Sequence, residues 1–224
     1  VYVDDTLISC GVKSVLDSET ERILGFFEGK IVPPVMAPDG KTEIRDLLGA
    51  TLMYNREDRR MEINAESAID TILKKFRMEN CKVLLVPVVK NQTRGKDADE
   101  PDLNFPIRSL VGSLQYVAGL CRPDTSFAVG KVAQYVSQPT RGVVSDAKRI
   151  LAYLKGTKQQ GISYSPEEER NFMEVYGKIA EKAGKSIGNT VGFADADYAG
   201  CTVTFKSTSG CILYHRGCPV VWSA

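Results

Sequence analysis

The sequence predicts an α+β fold, on three observations. Short apolar and β-branched runs face each other across polar turns, at residues 1–10 and again at 47–63. Three consecutive amphipathic helical patterns fill residues 107–155, and a strand pattern returns at 190–197. With 224 residues, 43% hydrophobic and 25% charged, the chain can bury a core and has room for two small domains.

Net charge is +1, so whole-molecule basicity gives no case for nucleic acid and any such case rests on local patches. The six cysteines (Cys10, Cys81, Cys121, Cys201, Cys211, Cys218) include no Cys-x-x-Cys pair, and only His215 could join them on a metal. That spacing argues against a zinc site or a disulfide framework and leads us to expect reduced thiols in an intracellular compartment. There is no signal peptide and no membrane-length apolar run, so no membrane partner is expected. The chain starts on Val1 directly within a motif, which sets the expectation of a fragment.

The first pair of runs, Val1-Tyr2-Val3 and Thr6-Leu7-Ile8-Ser9-Cys10, reads as two short strands with Asp4 and Asp5 at the turn. Two adjacent carboxylates repel unless a cation sits between them, and Mg²⁺ favours such hard oxygen ligands. An ordinary polar turn accommodates the same pair. Residues 18–27 follow as a helix with Ile23, Leu24 and Phe27 on one face, expected to pack on the sheet that holds the hairpin. Residues 31–36 can extend, but Pro33-Pro34 confines them to an edge or a loop.

The second hairpin runs from Leu47-Leu48-Gly49 to Tyr54, turns over 55–60 and returns on Met61-Glu62-Ile63. Asn64 then suits the N-cap of a helix over 65–76, whose Ala65, Ala68, Ile69, Ile72, Leu73 and Phe76 form one apolar stripe. Lys74 and Lys75 at its end suit either a helix C-terminus or a phosphate backbone. Residues 91–104 read as a polar loop.

Helical patterns at 107–121, 125–137 and 140–155 are separated by Arg122-Pro123-Asp124 and Gln138-Pro139, with Asp124 and Thr140 as candidate caps and Gly156 as a stop. Core stripes are Ile107, Leu110, Val111, Leu114, Val117, Ala118 and Cys121, then Val144, Ala147, Leu151 and Leu154. Over 105–165 eight basic residues, among them Arg108, Arg122, Lys148, Arg149 and Lys155, stand against Asp124 and Asp146 alone. Such a segment suits a solvated surface or a polyanion.

A charged, helix-compatible stretch at 166–186 leads to the strand at 190–197, which carries Asp195 and Asp197 two apart and so on one face. Acids ending an exposed strand, a metal site, or a haloacid-dehalogenase-like phosphatase all use Asp-x-Asp. The last needs further acids and a Lys downstream.

Several of these stretches together resemble the Pol polyprotein of Ty1/copia-type retrotransposons. The Tyr-x-Asp-Asp of residues 2–5 between apolar runs looks like a reverse-transcriptase hairpin, and Leu48-Gly49 downstream of it looks like a primer grip. Phe105-Pro106-Ile107-Arg108-Ser109-Leu110-Val111-Gly112-Ser113-Leu114-Gln115-Tyr116, then Arg122-Pro123-Asp124, then residues 147–157 resemble the stretch that follows the polymerase core. Phe193-Ala194-Asp195-Ala196-Asp197-Tyr198-Ala199-Gly200, Ser207-Thr208-Ser209-Gly210 and Pro219-Val220-Val221-Trp222-Ser223 resemble the first strands of the family's ribonuclease H domain. The chain departs from the pattern at Val143-Val144-Ser145, where relatives carry a His-Trp pair, and at Cys201, where they carry Asp.

The resemblance implies the end of a reverse-transcriptase palm with β-hairpins at 1–63, a helical thumb and connection at 64–165, a linker or insertion at 166–186, and the start of an incomplete ribonuclease H-like domain at 187–224. It assigns Asp4, Asp5 and Asp195 as catalytic, metal-holding carboxylates. Tyr2, Leu48 and Gly49 would position the primer end, and Lys74, Lys75, Arg108, Arg122, Lys148, Arg149 and Lys155 would contact nucleic acid. Implied partners are an RNA template, its RNA–DNA hybrid or DNA duplex, deoxynucleoside triphosphates in the intact enzyme, two Mg²⁺ ions, and polyprotein segments on both sides. Implied locations are a cytoplasmic virus-like particle or the nucleus. On this reading the fragment alone is inactive; a non-catalytic remnant that at most binds nucleic acid is the alternative.

Overall fold

Two antiparallel sheets flank a helical core in the computed structural model, which describes residues 6–89, 99–198 and 207–224. The elements in chain order are α1 (Lys13–Phe26), β1 (Val35–Met36), β2 (Thr42–Leu47), β3 (Ala50–Asn55), β4 (Arg60–Asn64), α2 (Glu66–Lys75), α3 (Ile107–Cys121), α4 (Pro123–Ala133), α5 (Arg141–Gly156), β5 (Gly161–Tyr164), α6 (Pro166–Phe172), one π-helical turn (Met173–Gly177), α7 (Lys178–Lys182), β6 (Thr190–Ala196), β7 (Ser209–His215) and β8 (Cys218–Ser223). The α+β class expected from the sequence is the class observed.

The core lies where the helical stripes converge. Ile69 of α2, Leu110 and Leu114 of α3, Val129 of α4 and Leu151 and Leu154 of α5 are all buried in one cluster. Burying each such side chain contributes about 1.5–3 kcal/mol, which is what holds four polar-backed helices together. Thr140 caps α5 by accepting the Val143 N–H through its hydroxyl. Asn64 accepts the Glu66 N–H at the start of α2.

The first sheet has the order β1-β2-β3-β4-β5. Its β3–β4 pairing is the hairpin expected at 47–63, with Met53 opposite Glu62. β1, short and next to Pro33-Pro34, sits at the edge where the prolines confine it. β2 carries Thr42, Glu43, Arg45 and Asp46, too polar to announce a strand, and pairs along its whole length with β3. β5 closes the other side by pairing with β4 about a hundred residues earlier, Ile162 opposite Ile63. A Cβ on Gly161 would lie 1.9 Å from the Ile63 carbonyl, so this approach requires glycine.

The second sheet is β6-β7-β8. Phe172 at the end of α6 is buried against Tyr176, Phe193 and Tyr214, with ring centroids 4.6, 6.5 and 5.1 Å away, so the helical stretch 166–186 covers one face of this sheet. Trp222 ties the sheet to the core by donating its Nε1–H to the Ala118 carbonyl of α3 at 2.8 Å.

Four expectations need correction. Residues 6–10 form no strand, since nothing among the described residues pairs with them, while 1–5 lie outside those residues. The first helix begins earlier, at Lys13, and buries no residue: Phe26 and Phe27 are 77% and 70% exposed, so it does not pack on a sheet. Leu48-Gly49 does not start a strand but forms the two-residue turn between β2 and β3. Asp124 is not a cap: α4 begins one residue before it, and its carboxylate is engaged by Arg122.

Candidate nucleic-acid interface

The basic residues singled out from the sequence divide sharply once placed. Arg122 is 1% exposed. Its Nε and Nη2 donate to Asp124 Oδ1 and Oδ2 at 2.9 and 2.7 Å, its Nη1 and Nη2 donate to the carbonyl and hydroxyl of Thr157 at 2.9 and 2.8 Å, and its Cζ lies 5.4 Å from the Tyr153 ring centre. A guanidinium so enclosed and satisfied cannot reach a phosphate, and the expected nucleic-acid contact at Arg122 is replaced by a structural one. It pins the junction of α3 and α4 to the end of α5.

Electrostatics around this hub follow from the geometry. Burial works against charge on Asp124, but the hydrogen bonds from Arg122 and Tyr153 and the Arg122 charge outweigh it and hold the carboxyl below its usual range. Burial, with the Asp124 hydrogen bond and charge, raises the Tyr153 hydroxyl. Burial also pushes the neighbouring Cys121 thiol up to about 11. A cleft of about 490 Å³ opens beside the hub, lined by Arg60, Glu62, Asn64, Asp124, Tyr153 and Gln160 among others. Its charges are paired, Arg60 with Glu62 and Asp124 with Arg122, so it offers no groove for a polyanion.

Lys155 is also engaged, donating to the Cys81 carbonyl at 2.7 Å, and Lys158 bridges Glu66 and Asp70 at 3.1 and 3.0 Å. Lys74 and Arg108 are exposed, and Arg149 is half-buried.

Lys75 and Lys148 are linked through two aromatic rings. Lys75 Nζ lies 5.6 Å from the Phe76 ring centre, Phe76 and Phe105 stand 6.0 Å apart, and Lys148 Nζ lies 4.6 Å from the Phe105 ring centre. The end of α2, the residue leading into α3, and the middle of α5 thus form one surface of two ammonium groups set around two half-buried rings. Cation–π attraction at these distances contributes about 0.5–1 kcal/mol at an exposed site and orients the ammonium heads. Two fixed positive charges beside aromatic faces suit a phosphodiester backbone. Phe76 reads from the sequence as a core residue and Phe105 as part of a motif; no local pattern indicates that they meet.

The Leu48-Gly49 turn lies beside the same helix. Leu48 has φ 57° and Gly49 φ 80°, a turn type with both central residues left-handed. The Leu48 carbonyl accepts a hydrogen bond from the Tyr116 hydroxyl of α3, and the Gly49 N–H donates to Asp46 Oδ1 at 3.3 Å.

Of the carboxylates expected to hold metal, Asp195 is the one among the described residues. Asp4 and Asp5, with Tyr2, lie outside the described residues. Asp195 is exposed on β6 and accepts the Ala196 N–H at 2.9 Å. Asp197 Oδ1 accepts the Thr208 N–H at 2.5 Å, so that acid serves the link between β6 and β7. Among the described residues no cluster of three or more His, Cys, Asp or Glu could hold a metal ion. Asp195 alone does not fit a two-metal cage, and no metal-dependent step follows from this geometry. No helix among the described residues is long and apolar enough to cross a membrane.

No family model matches the chain. No solved structure matches it. Curated relatives do. An uncharacterized mitochondrial protein of Arabidopsis thaliana is 29% identical, covering 100% of this chain and 81% of the relative. The retrovirus-related Pol polyproteins from transposon RE1 of Arabidopsis thaliana and transposon TNT 1-94 of Nicotiana tabacum are 28% and 25% identical over 100% of this chain. The chain spans only 13% and 15% of those two polyproteins.

Proposed function

This chain belongs to the retrovirus-related Pol polyproteins of copia-type transposons, and from that premise we propose that it is the part of a reverse transcriptase that holds the template–primer hybrid, running from the end of the palm through the thumb into the start of ribonuclease H. The observation that carries this reading is the surface of Lys75, Phe76, Phe105 and Lys148. Two of its residues, Phe105 and Lys148, lie within the stretches whose sequence resembles the segment after the polymerase core, and its chemistry suits a phosphate backbone read without regard to base sequence.

Nucleotidyl transfer belongs, on this proposal, to the whole polyprotein. Asp4 and Asp5 would supply oxygen ligands for Mg²⁺ there, and Asp195 would serve the hybrid-cleaving site. Mg²⁺ held by Asp4 and Asp5 there would supply Lewis-acid stabilisation of a phosphate. What the described residues contribute is positioning: Lys75 and Lys148 hold the backbone, and the Arg122 hub fixes the end of α5, the helix that carries Lys148.

One observation favours the alternative of a non-catalytic remnant. The mitochondrial relative is matched over 81% of its own length, so a chain of nearly this extent occurs outside a full polyprotein. Both readings keep the hybrid-holding surface and differ in chemistry. Fluorescence anisotropy of the 224-residue chain with an RNA–DNA hybrid over a salt series tests the shared part. Affinity should fall steeply with salt, and Lys75→Ala and Lys148→Ala should each lower the log–log slope by about one. Salt-independent binding, or slopes unchanged in both variants, would reject it. Primer extension by the chain with Mg²⁺ would reject the proposal that catalysis needs the rest of the polyprotein.

A further inference from the structure

The helical stretch at 166–182, for which the resemblance assigns only a linker or insertion, packs on the sheet face that carries Asp195. Residues two apart on a strand share a face, so Val191, Phe193 and Asp195 of β6 lie on one side of the second sheet. Their partners across the β6–β7 pairing are Tyr214, Ile212 and Gly210. On that side the Phe172 ring lies 5.1 Å from Tyr214, and the Tyr176 ring lies 4.9 Å from Phe193.

The stretch is held firmly at one end only. At the start of α6 the Ser165 hydroxyl accepts the Glu168 N–H at 3.2 Å, Arg216 Nε meets Glu169 Oε1 at 2.9 Å, and Phe172 is buried. The β7–β8 turn is shaped to this helix: a Cβ on Gly217 would lie 2.8 Å from both the Glu168 carbonyl and Phe172 Cβ. Beyond Phe172 the hold weakens. Neither the π-helical turn nor α7 buries a residue, and Met173, Val175 and Ile179 are exposed. A π-helical turn interrupts the regular hydrogen-bond ladder and is a place where a helix bends.

Asp195 alone does not fit a two-metal cage, so further carboxylates must converge on it before it can serve one. Phe193 lies two residues from Asp195, about 7 Å along the strand, whereas a helix with its side chains is about 10 Å across. A second helix laid over Asp195 would therefore overlap the Tyr176 ring where it rests on Phe193. We propose that the π-helical turn and α7 form an intramolecular cover, rooted on α6, that competes with an acid-bearing helix for the Asp195 face. The ion site is completed only when Tyr176 leaves Phe193. This rests on the hybrid-cleaving role proposed above for Asp195.

Hydrogen exchange on the 224-residue chain reads the cover itself. Amides of 178–182 should exchange at least about tenfold faster than those of α6 and β6, and protection equal to that of β6 would overturn a cover that yields separately from the sheet. Mn²⁺ titration of the polyprotein that carries this chain, followed by water-proton relaxation, reads the competition. Tyr176→Ala should tighten Asp195-dependent binding by about tenfold for a cover open about a tenth of the time. Tyr176→Phe, which keeps the ring, should bind as wild type does, and Asp195→Asn should lose this binding in every background. Equal affinity in wild type and Tyr176→Ala, with Asp195→Asn still weakening both, would overturn the cover and leave the role of Asp195 standing. That is the result for acids that arrive on a strand at the edge of β6 not paired with β7. No Asp195-dependent binding in any form would remove that role and the cover with it.

Discussion

Arg122 and Asp124 meet side by side at the α3–α4 junction, with two nitrogens of one against two oxygens of the other at 2.9 and 2.7 Å. The arginine is enclosed while the carboxylate side chain keeps 39% of its surface in solvent. Enclosing the charge is tolerable because Asp124 and Thr157 take up its hydrogen-bond donors and Tyr153 covers its face.

Removing the arginine should be costly. Arg122→Ala leaves Asp124 and the Thr157 groups without their donor and opens a void under Tyr153. Because Asp124 remains partly hydrated, the loss should sit near the low end for a broken buried pair, about 3 kcal/mol. Urea unfolding monitored by far-UV circular dichroism measures it, and a loss under about 1 kcal/mol would show that the hub does not bind α5 to the junction.

Stability should also depend on pH through this pair. The Asp124 carboxyl is held below its usual range, so its contribution is present above the unfolded value of about 3.9 and disappears as pH falls through the folded one. The Tyr153 hydroxyl is raised, so its contribution is present below about pH 10 and is lost as pH rises through the folded value. Asp124→Asn should flatten the wild-type decline below about pH 4. Parallel acid limbs in the two proteins would contradict this.

Cysteine labelling should follow burial. Cys121 is fully buried with its thiol pushed up to about 11, which leaves about one thiolate in a thousand at pH 8. Cys10 and Cys211 are exposed. Brief iodoacetamide treatment followed by peptide mass spectrometry should find Cys10 and Cys211 alkylated and Cys121 untouched until denaturant is added. Early labelling of Cys121 would mean that the α3–α4 junction opens readily.

Trp222 is the single tryptophan and its indole N–H reaches the Ala118 carbonyl across the boundary between the second sheet and the core. Trp222→Phe should cost about 1 kcal/mol for the hydrogen bond alone. In the wild-type chain, fluorescence and circular dichroism should report coincident unfolding midpoints if sheet and core melt together. Separated midpoints would show two independent units.

Local pattern carried much of the architecture. The stripe of Ile107, Leu110, Leu114, Val117 and Cys121 is the buried face of α3, and the runs on either side of residues 56–59 pair as β3 and β4. It failed where a side chain's fate depends on distant groups. Arg122, one basic residue among eight over 105–165, carries no local sign that Thr157 and Tyr153 will enclose it. Asp124 suits a cap in sequence, yet an arginine two residues away claims its carboxylate.

By itself the sequence determined the helical stripes, the strand-forming runs and the likeness to copia-type Pol polyproteins, because periodicity and motif are properties of neighbouring residues. Tertiary structure alone decided that β5 joins β4, that Leu48-Gly49 becomes a strained turn held by Tyr116, and that Lys75 and Lys148 share a surface while Arg122 does not. The physical reason is that burial, strand pairing and charge satisfaction are set by contacts between residues far apart in the chain, which no short window of sequence contains.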